Sequence, residues 1–252
     1  MTAMSNYLEN ALLDHVLKNT AYTSPTTVYG KLHIGDPGED CTLNPSTETT
    51  RVALTFSPAA SRVITTSAQA DWLSIGVSAQ ETITFISIWD NLTAGNPLAY
   101  GSAGSTVVDP GDDFFFAAGD IDISADTSIF TTFLANALLD HVFRNTAYTQ
   151  PAGLFVKPHI GAPGFDATGN PAAETTRANA GTFSAAVAGS SDNDAAISWT
   201  AVAASETWTD VSIWDASTLG NALLIPDVNP DKAVNAGNNV EYAAGALILN
   251  FA

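Results

Sequence analysis

NALLDHVLKNTAYTSP, residues 10–25, returns as NALLDHVFRNTAYTQP, residues 136–151. Thirteen of the sixteen positions are identical, the exceptions being Leu17/Phe143, Lys18/Arg144 and Ser24/Gln150, so the chain has to be compared with itself before any motif is weighed. The likeness runs on. His33-Ile34-Gly35 matches His159-Ile160-Gly161, and Glu48-Thr49-Thr50-Arg51 matches Glu174-Thr175-Thr176-Arg177, both at an offset of 126. Phe56 and Trp72 match Phe183 and Trp199 at 127, and Ser87-Ile88-Trp89-Asp90 matches Ser212-Ile213-Trp214-Asp215 at 125. Drift by single residues is what small loop insertions produce. A period of this size belongs to a domain, not to a solenoid repeat. The sequence therefore predicts a tandem duplication, with a first repeat at 1–126 and a second of the same fold at 127–252, joined through SADTSIFTT, residues 124–132.

Each copy opens with an amphipathic pattern. Leu8, Ala11, Leu12, Val16 and Tyr22 fall near one helical face, with Glu9, Asn10, Asp14 and Lys18 opposite. Asn6 followed by Glu9 fits an N-cap with a carboxylate three residues on. Asp14/Lys18 and Asp140/Arg144 have ion-pair spacing, and the helices should end near Asn19 and Asn145. The expected helix packs on its own copy, with the Glu9/Asp14/Lys18 edge exposed. Everything after it reads as strand and turn: VYGKLHI (28–34), RVALTFS (51–57), ADWLSIG (70–76), TITFISIWD (82–90), then short strands to Ile123. Pro158 inside the second VYGKLHI-like segment suggests an edge strand there. Short strands at near-regular spacing predict a mainly β fold, two tandem sandwich- or barrel-like domains each preceded by one N-terminal α-helix.

Composition removes several function classes. The chain carries 26 acids against 8 Lys plus Arg, a net charge of −18. Residues 1–126 hold 15 acids and 4 bases and residues 127–252 hold 11 and 4, so neither half hides a basic domain. Direct nucleic-acid binding needs clustered cations, and an anionic membrane surface asks for the same, so both are disfavoured. No apolar run reaches the roughly 18 residues of a spanning helix. The N-terminus, MTAMSNYLENALLDH, lacks a basic n-region and does not read as a signal peptide, so synthesis in a cytoplasm is expected and the Asn91-Leu92-Thr93 sequon carries no meaning. Charged residues are only 13% of the chain, and a surface of small neutral residues suits packing against other proteins.

No constellation of reactive residues stands out. The four histidines form two equivalent pairs, His15/His141 and His33/His159. A metal site would have to join His15 and His33 with Asp14 or Glu48, far apart in sequence and without CxxC or HExxH spacing. Cys41, the only cysteine, is Ala167 in the second copy, which argues for an inert thiol. There is no GxSxG. Asp109, Asp112 and Asp113 read as a solvated turn, and GSSDNDAA (189–196) as a surface loop rather than a calcium site. Arg51 and Arg177 are expected to pair with a carboxylate, and Trp89 and Trp214 to be packing aromatics at strand ends. The expectation is no catalytic, cofactor-binding or metal residues, and no cofactor.

The helix NALLDHVLxxTAYTxP, the VYGKLHIGDPG strand and turn, ETTRVALTFSPA, TFISIWDxxTAGNPLAYG and the closing FFFAAGDIDI together resemble a family of small virion proteins of tailed bacteriophages, described as tail-fibre-like, minor tail or capsid decoration proteins. The resemblance spans about 5–124 and again about 131–251. It implies a non-enzymatic structural protein located in the virion and made in the host bacterial cytoplasm. The first expectation is a capsid decoration (cement) protein bridging major capsid subunits on the outer head surface. Its partners would be the major capsid protein or other virion proteins, with self-association within the particle. The alternatives are a globular tail, fibre or baseplate component and, behind them, a carbohydrate-binding module.

Overall fold

The computed structural model describes residues 2–125 and 129–250; the centre of the joint between the repeats, 126–128, lies outside them. Strands dominate, and the second repeat follows the first nearly strand for strand. In the first repeat, β1 (Thr2–Met4) and α1 (Asn6–Leu17) precede β2 (Val28–His33), β3 (Val52–Leu54), β4 (Val63–Thr65), β5 (Ala70–Trp72), β6 (Glu81–Trp89), β7 (Pro97–Val108), β8 (Phe114–Phe116) and β9 (Asp122–Ser124). In the second, α2 (Thr132–Arg144) precedes β10 (Phe155–His159), β11 (Ala178–Asn179), β12 (Ser190–Asp192), β13 (Ile197–Trp199), β14 (Glu206–Trp214), β15 (Ala222–Leu224), β16 (Asp227–Val234), β17 (Val240–Tyr242) and β18 (Ile248–Asn250). The single long β7 corresponds to β15 and β16 together, the break falling at Pro226, which has no N–H to give a ladder.

The compact units of the structure are not the two halves of the sequence. Unit 1 consists of Met1–Glu9, Thr23–Ala125 and Asn136–Tyr148; unit 2 consists of Asn10–Tyr22, Asp126–Ala135 and Thr149–Ala252. Each unit therefore contains the C-terminal part of the helix encoded in the other repeat.

Unit 1 is built on a sheet of order β3-β2-β6-β7-β1-β9-β4, with the β5–β8 ladder as a second layer. Alternation on β2 and β6 sends Leu32, Ile86 and Ile88 to one face, where they are buried. The ladder closes over that face with Trp72, whose ring meets Phe114 and Phe116 at centroid distances of 6.0 Å. In unit 2 the order is β11-β10-β14-β15 with β16 also on β14, and the β13–β17 ladder supplies the matching cluster, Trp199 against Trp208 and Tyr242. The strand holding Pro158 is interior, paired with both β11 and β14, which corrects the edge-strand expectation. Proline is tolerated because position 158 turns its backbone away from β14, beyond the end of β11, where its carbonyl accepts the Ala172 N–H.

Helix boundaries follow local chemistry. The N-cap is Ser5, one residue before the Asn6 expected from the sequence: its Oγ accepts the Leu8 N–H at 3.2 Å and donates to the Pro97 carbonyl at 2.5 Å. Thr131 does the same for α2, accepting from Leu134 at 3.2 Å and donating to the Ala222 carbonyl at 2.7 Å. Each helix start is thus fastened to a strand of its own repeat. Both helices stop where expected. Asn19 and Asn145 adopt left-handed φ of 55° and 52°, and the N–H groups of Thr20 and Thr146 close back on the Asp14 and Asp140 carbonyls.

Beyond the first turn the expectation of a helix packed on its own copy is corrected. In unit 1, a two-residue hairpin turn joins Ala60 to Val63 through Ser61 (φ 52°) and Arg62 (φ 70°), the paired positive values of a type I′ turn. Such a turn leaves N–H groups pointing outward. The Ala59 N–H goes to Asp140 Oδ1 and the Arg62 N–H to Asn136 Oδ1, both at 2.8 Å. Unit 2 repeats the device: Ala186 donates to Asp14 at 2.8 Å and Gly189 to Asn10 at 2.9 Å. Residues four apart on a helix stand on one face, so an Asn-x-x-x-Asp segment is a ready pair of acceptors for one turn. Glu9, Asp14 and Lys18 are accordingly half-buried, not an exposed edge. Of the expected ion pairs, Asp140–Arg144 forms at 3.1 Å.

Candidate functional site

The positions that recur in both copies converge on one end of the β2–β6 pair in unit 1 and of the β10–β14 pair in unit 2. Register places Lys31 opposite Ser87 and Tyr29 opposite Trp89, with His33 next on the same face. The ring of His33 spans two hydrogen bonds, Nδ1 to the Leu43 carbonyl at 3.0 Å and Nε2 to Ser87 Oγ at 2.7 Å. Trp89 Nε1–H donates to the same Ser87 oxygen at 2.8 Å. A carbonyl only accepts and an indole only donates, so His33 carries its proton on Nδ1 and the Ser87 hydroxyl donates to Nε2. The chain Leu43–His33–Ser87–Trp89 is then satisfied throughout. Unit 2 holds the same chain, Gly169–His159–Ser212–Trp214, with contacts of 2.8, 2.8 and 2.7 Å.

A serine that donates to a histidine oriented from behind is also the arrangement of an activated nucleophile. Here burial decides otherwise: His33, Ser87, His159 and Ser212 are each 0% exposed, and each serine oxygen already accepts the indole N–H of a tryptophan. Burial pushes the His33 pKa down to about 4, against opposing hydrogen bonds from the Leu43 and Asn44 backbone, and His159 is lowered for the same first cause. Both rings are neutral rivets at ordinary pH.

The outer side of each tryptophan carries cations. The Arg51 guanidinium lies 3.9 Å from the Trp89 ring centre and Arg177 lies 3.6 Å from that of Trp214. Arg51 also donates to the carbonyls of Asn91 and Ala94, and Arg177 to those of Ala216 and Leu219. This replaces the expected pairing with a carboxylate: both arginines clamp the loop that follows the tryptophan. Glu48 and Glu174 instead cap backbone N–H groups, those of Gly76 and Thr50 and of Ala203 and Thr176. For Glu48, burial would raise the pKa, but these hydrogen bonds outweigh it and hold the carboxyl below its ordinary value. The loops are fixed from inside as well, by Asp90 and Asp215, which each take the N–H and the side-chain amide of Asn96 and Asn221. Gly95 and Gly220 sit at φ 74° and 68°, where a Cβ would run into the aspartate. Held at both ends, the loops present Leu92 and Leu219, 49% and 86% exposed.

The remaining sequence candidates fall elsewhere. His15 and His141 are buried at the helix ends, where each Nδ1 lies beside a carbonyl and an N–H of the following turn: Thr20 and Tyr22 at 3.3 and 3.0 Å, and Thr146 and Tyr148 at 3.1 and 3.4 Å. His15 belongs to unit 2 and His33 to unit 1. Among the described residues no group of three or more His, Cys, Asp or Glu side chains could hold a metal ion, and no helix is long and apolar enough to cross a membrane. Cys41 is buried, and burial followed by the charge of Asp40 pushes its thiol up to about 12. Asp109 and Asp113 are exposed and tie their turn to the 74–80 segment, accepting from the Gln80 side-chain amide and from the Ser74 N–H. The 189–196 segment is not a surface loop: it holds the hairpin turn and β12. Its Asn193, 1% exposed, donates to Ala195 and Ala243 and accepts from Leu247. Sequence reasoning missed Ser87 and Ser212, the hubs of the buried chains, and Asn10/Asn136, although both recur in the repeats.

Both copies match the family described as Podophage GP4 fiber I protein gp80, over residues 3–124 and again over 129–250. The chain belongs to this family. It is a phage virion protein of fibre-like structural type, with the gp80 domain duplicated in tandem. Comparison with curated proteins gave no match.

Proposed function

We propose that this chain is a non-catalytic building block of a podophage fibre, placed in the particle by contacts with other virion proteins and needing no cofactor. The match of both copies to a fibre family carries this reading. The geometry supports it: where serine and histidine meet, the pair is sealed in the core, and what is presented outward is a clamped loop with an apolar tip. A loop fixed before contact loses little entropy on docking. Lys31 and Arg51 on one face and Lys157, which stands opposite Ser212, and Arg177 on the other are half of the eight Lys and Arg side chains in the chain, and would meet carboxylates of the neighbour.

Decoration of the head, bridging major capsid subunits, is the second reading. It rests on the acid excess and the small neutral surface, which suit an outward-facing capsid protein. Immunogold labelling of intact particles with antibody to this chain separates the two. Label along fibres is expected; label spread over the head shell would replace the fibre reading with the decoration reading, and unlabelled particles would remove both.

A further inference from the structure

Unit 1 holds a receptor whose occupant is a helix segment from the second repeat, and unit 2 holds one occupied by the first. The recognition is specific. In unit 1 the hairpin turn offers the Ala59 and Arg62 N–H groups to Asp140 and Asn136, Phe56 meets Phe143 at 5.5 Å, and Ser24 Oγ lies 2.7 Å from His141 Nδ1. In unit 2 the Ala186 and Gly189 N–H groups meet Asp14 and Asn10. The occupants are the two NALLDH segments, identical in sequence at 10–15 and 136–141. Two receptors with the same donors therefore take the same ligand, each from the repeat that does not encode the receptor.

We propose that the NALLDH helix is an assembly element whose partner is a second copy of the repeat: any two repeats, fused as here or carried on separate chains, complete one another by exchanging it. This is reciprocal exchange of an identical element, with the fusion supplying a high effective concentration. A chain with a single repeat would lack the occupant of its own receptor and would pair with another such chain. The duplicated chain is closed within itself, and at high concentration it can exchange helices with a neighbouring molecule through the same contacts.

The full chain tests this. A protease site flanked by Gly and Ser is placed at 126–128, and the protein is cleaved after folding. The two fragments are expected to co-elute as one species of about 26.2 kDa at micromolar concentration, and to lose near-UV circular dichroism when they are forced apart. In a variant carrying Asn10→Ala, Asp14→Ala, Asn136→Ala and Asp140→Ala, the cleaved pair should dissociate at concentrations about tenfold higher or more, because four cross-repeat hydrogen bonds are gone. Should that variant fail to fold, Asp140→Ala alone is expected to weaken the pair about threefold or more. Fragments that part in native buffer as two folded halves would overturn the proposal. So would variant fragments that hold together as tightly as those of the parent.

Discussion

Ser87 receives one N–H and gives one O–H in a place that solvent does not reach, so its hydroxyl cannot be removed without stranding two partners. Ser87→Ala leaves His33 Nε2 and Trp89 Nε1 buried and unsatisfied, and unsatisfied buried groups cost about 1–3 kcal/mol each. Denaturant titration of this variant should show a loss of about 2–4 kcal/mol, and Ser212→Ala a similar loss. Glu9 gives a second residue-level expectation. Burial, and then the charge of Glu39, raises its pKa from 4.5 to about 7, while the second copy has buried Ala135 at that place. Ionisation is easier in the unfolded chain, so Glu9 destabilises the fold progressively as pH rises from about 4.5 to about 7, and not at all below that window. The melting temperature of Glu9→Gln should exceed the parent's at pH 8, and the two should converge by pH 4. At this scale the repeat pointed to His33, Trp89 and Arg51 as positions to weigh, because each recurs; Ser87 recurs as well but was passed over. Their partners were not legible, because Leu43 and Ala94 are used through backbone carbonyls, which any residue type supplies.

Elements were legible wherever their limits depend on nearby residues. Both helices end at an asparagine that accepts a left-handed φ, and the strands that end at Trp89 and Trp214 were legible as apolar segments although their alternation is imperfect, Ile86 to Ile88 and Val211 to Ile213 being buried in unbroken runs. Two elements defeated local reading. Pro158 sits in an interior strand because the side of the backbone on which it lacks a donor faces away from β14, a fact of register. Asp14 was read as part of an exposed edge, and Asn10 as a residue of the polar helical face, because their donors lie 172 and 179 residues away in the chain. Asp140→Ala, which leaves the half-buried Ala59 N–H without its carboxylate, should lower stability by about 1–2 kcal/mol in the same titration. The removal of an exposed helix carboxylate would change it by less than about 0.5 kcal/mol, so the size of the effect separates the two roles.

At the scale of the whole molecule, the duplication was legible and the exchange was not. Periodicity reports which segments are alike; it does not report which of two like segments fills which receptor. Because α1 and α2 each run from one unit into the other, unfolding of either unit interrupts both helices and leaves its counterpart with helix segments that no longer continue. Differential scanning calorimetry should therefore show one transition, and Ser87→Ala should move all of it to lower temperature, although the substitution touches unit 1 alone. Two resolved transitions, with the upper one unmoved, would count against coupling. The exchange also bears on how a gene of this kind can change. Deletion of either repeat by recombination would remove one receptor and, in the same event, the ligand of the other. A substitution at codon 136 or 140 leaves main-chain donors of the turn at Ala59–Arg62, encoded in the other half of the reading frame, without their acceptors. The two halves are thereby bound to a shared inheritance, and neither is free to drift into a separate role.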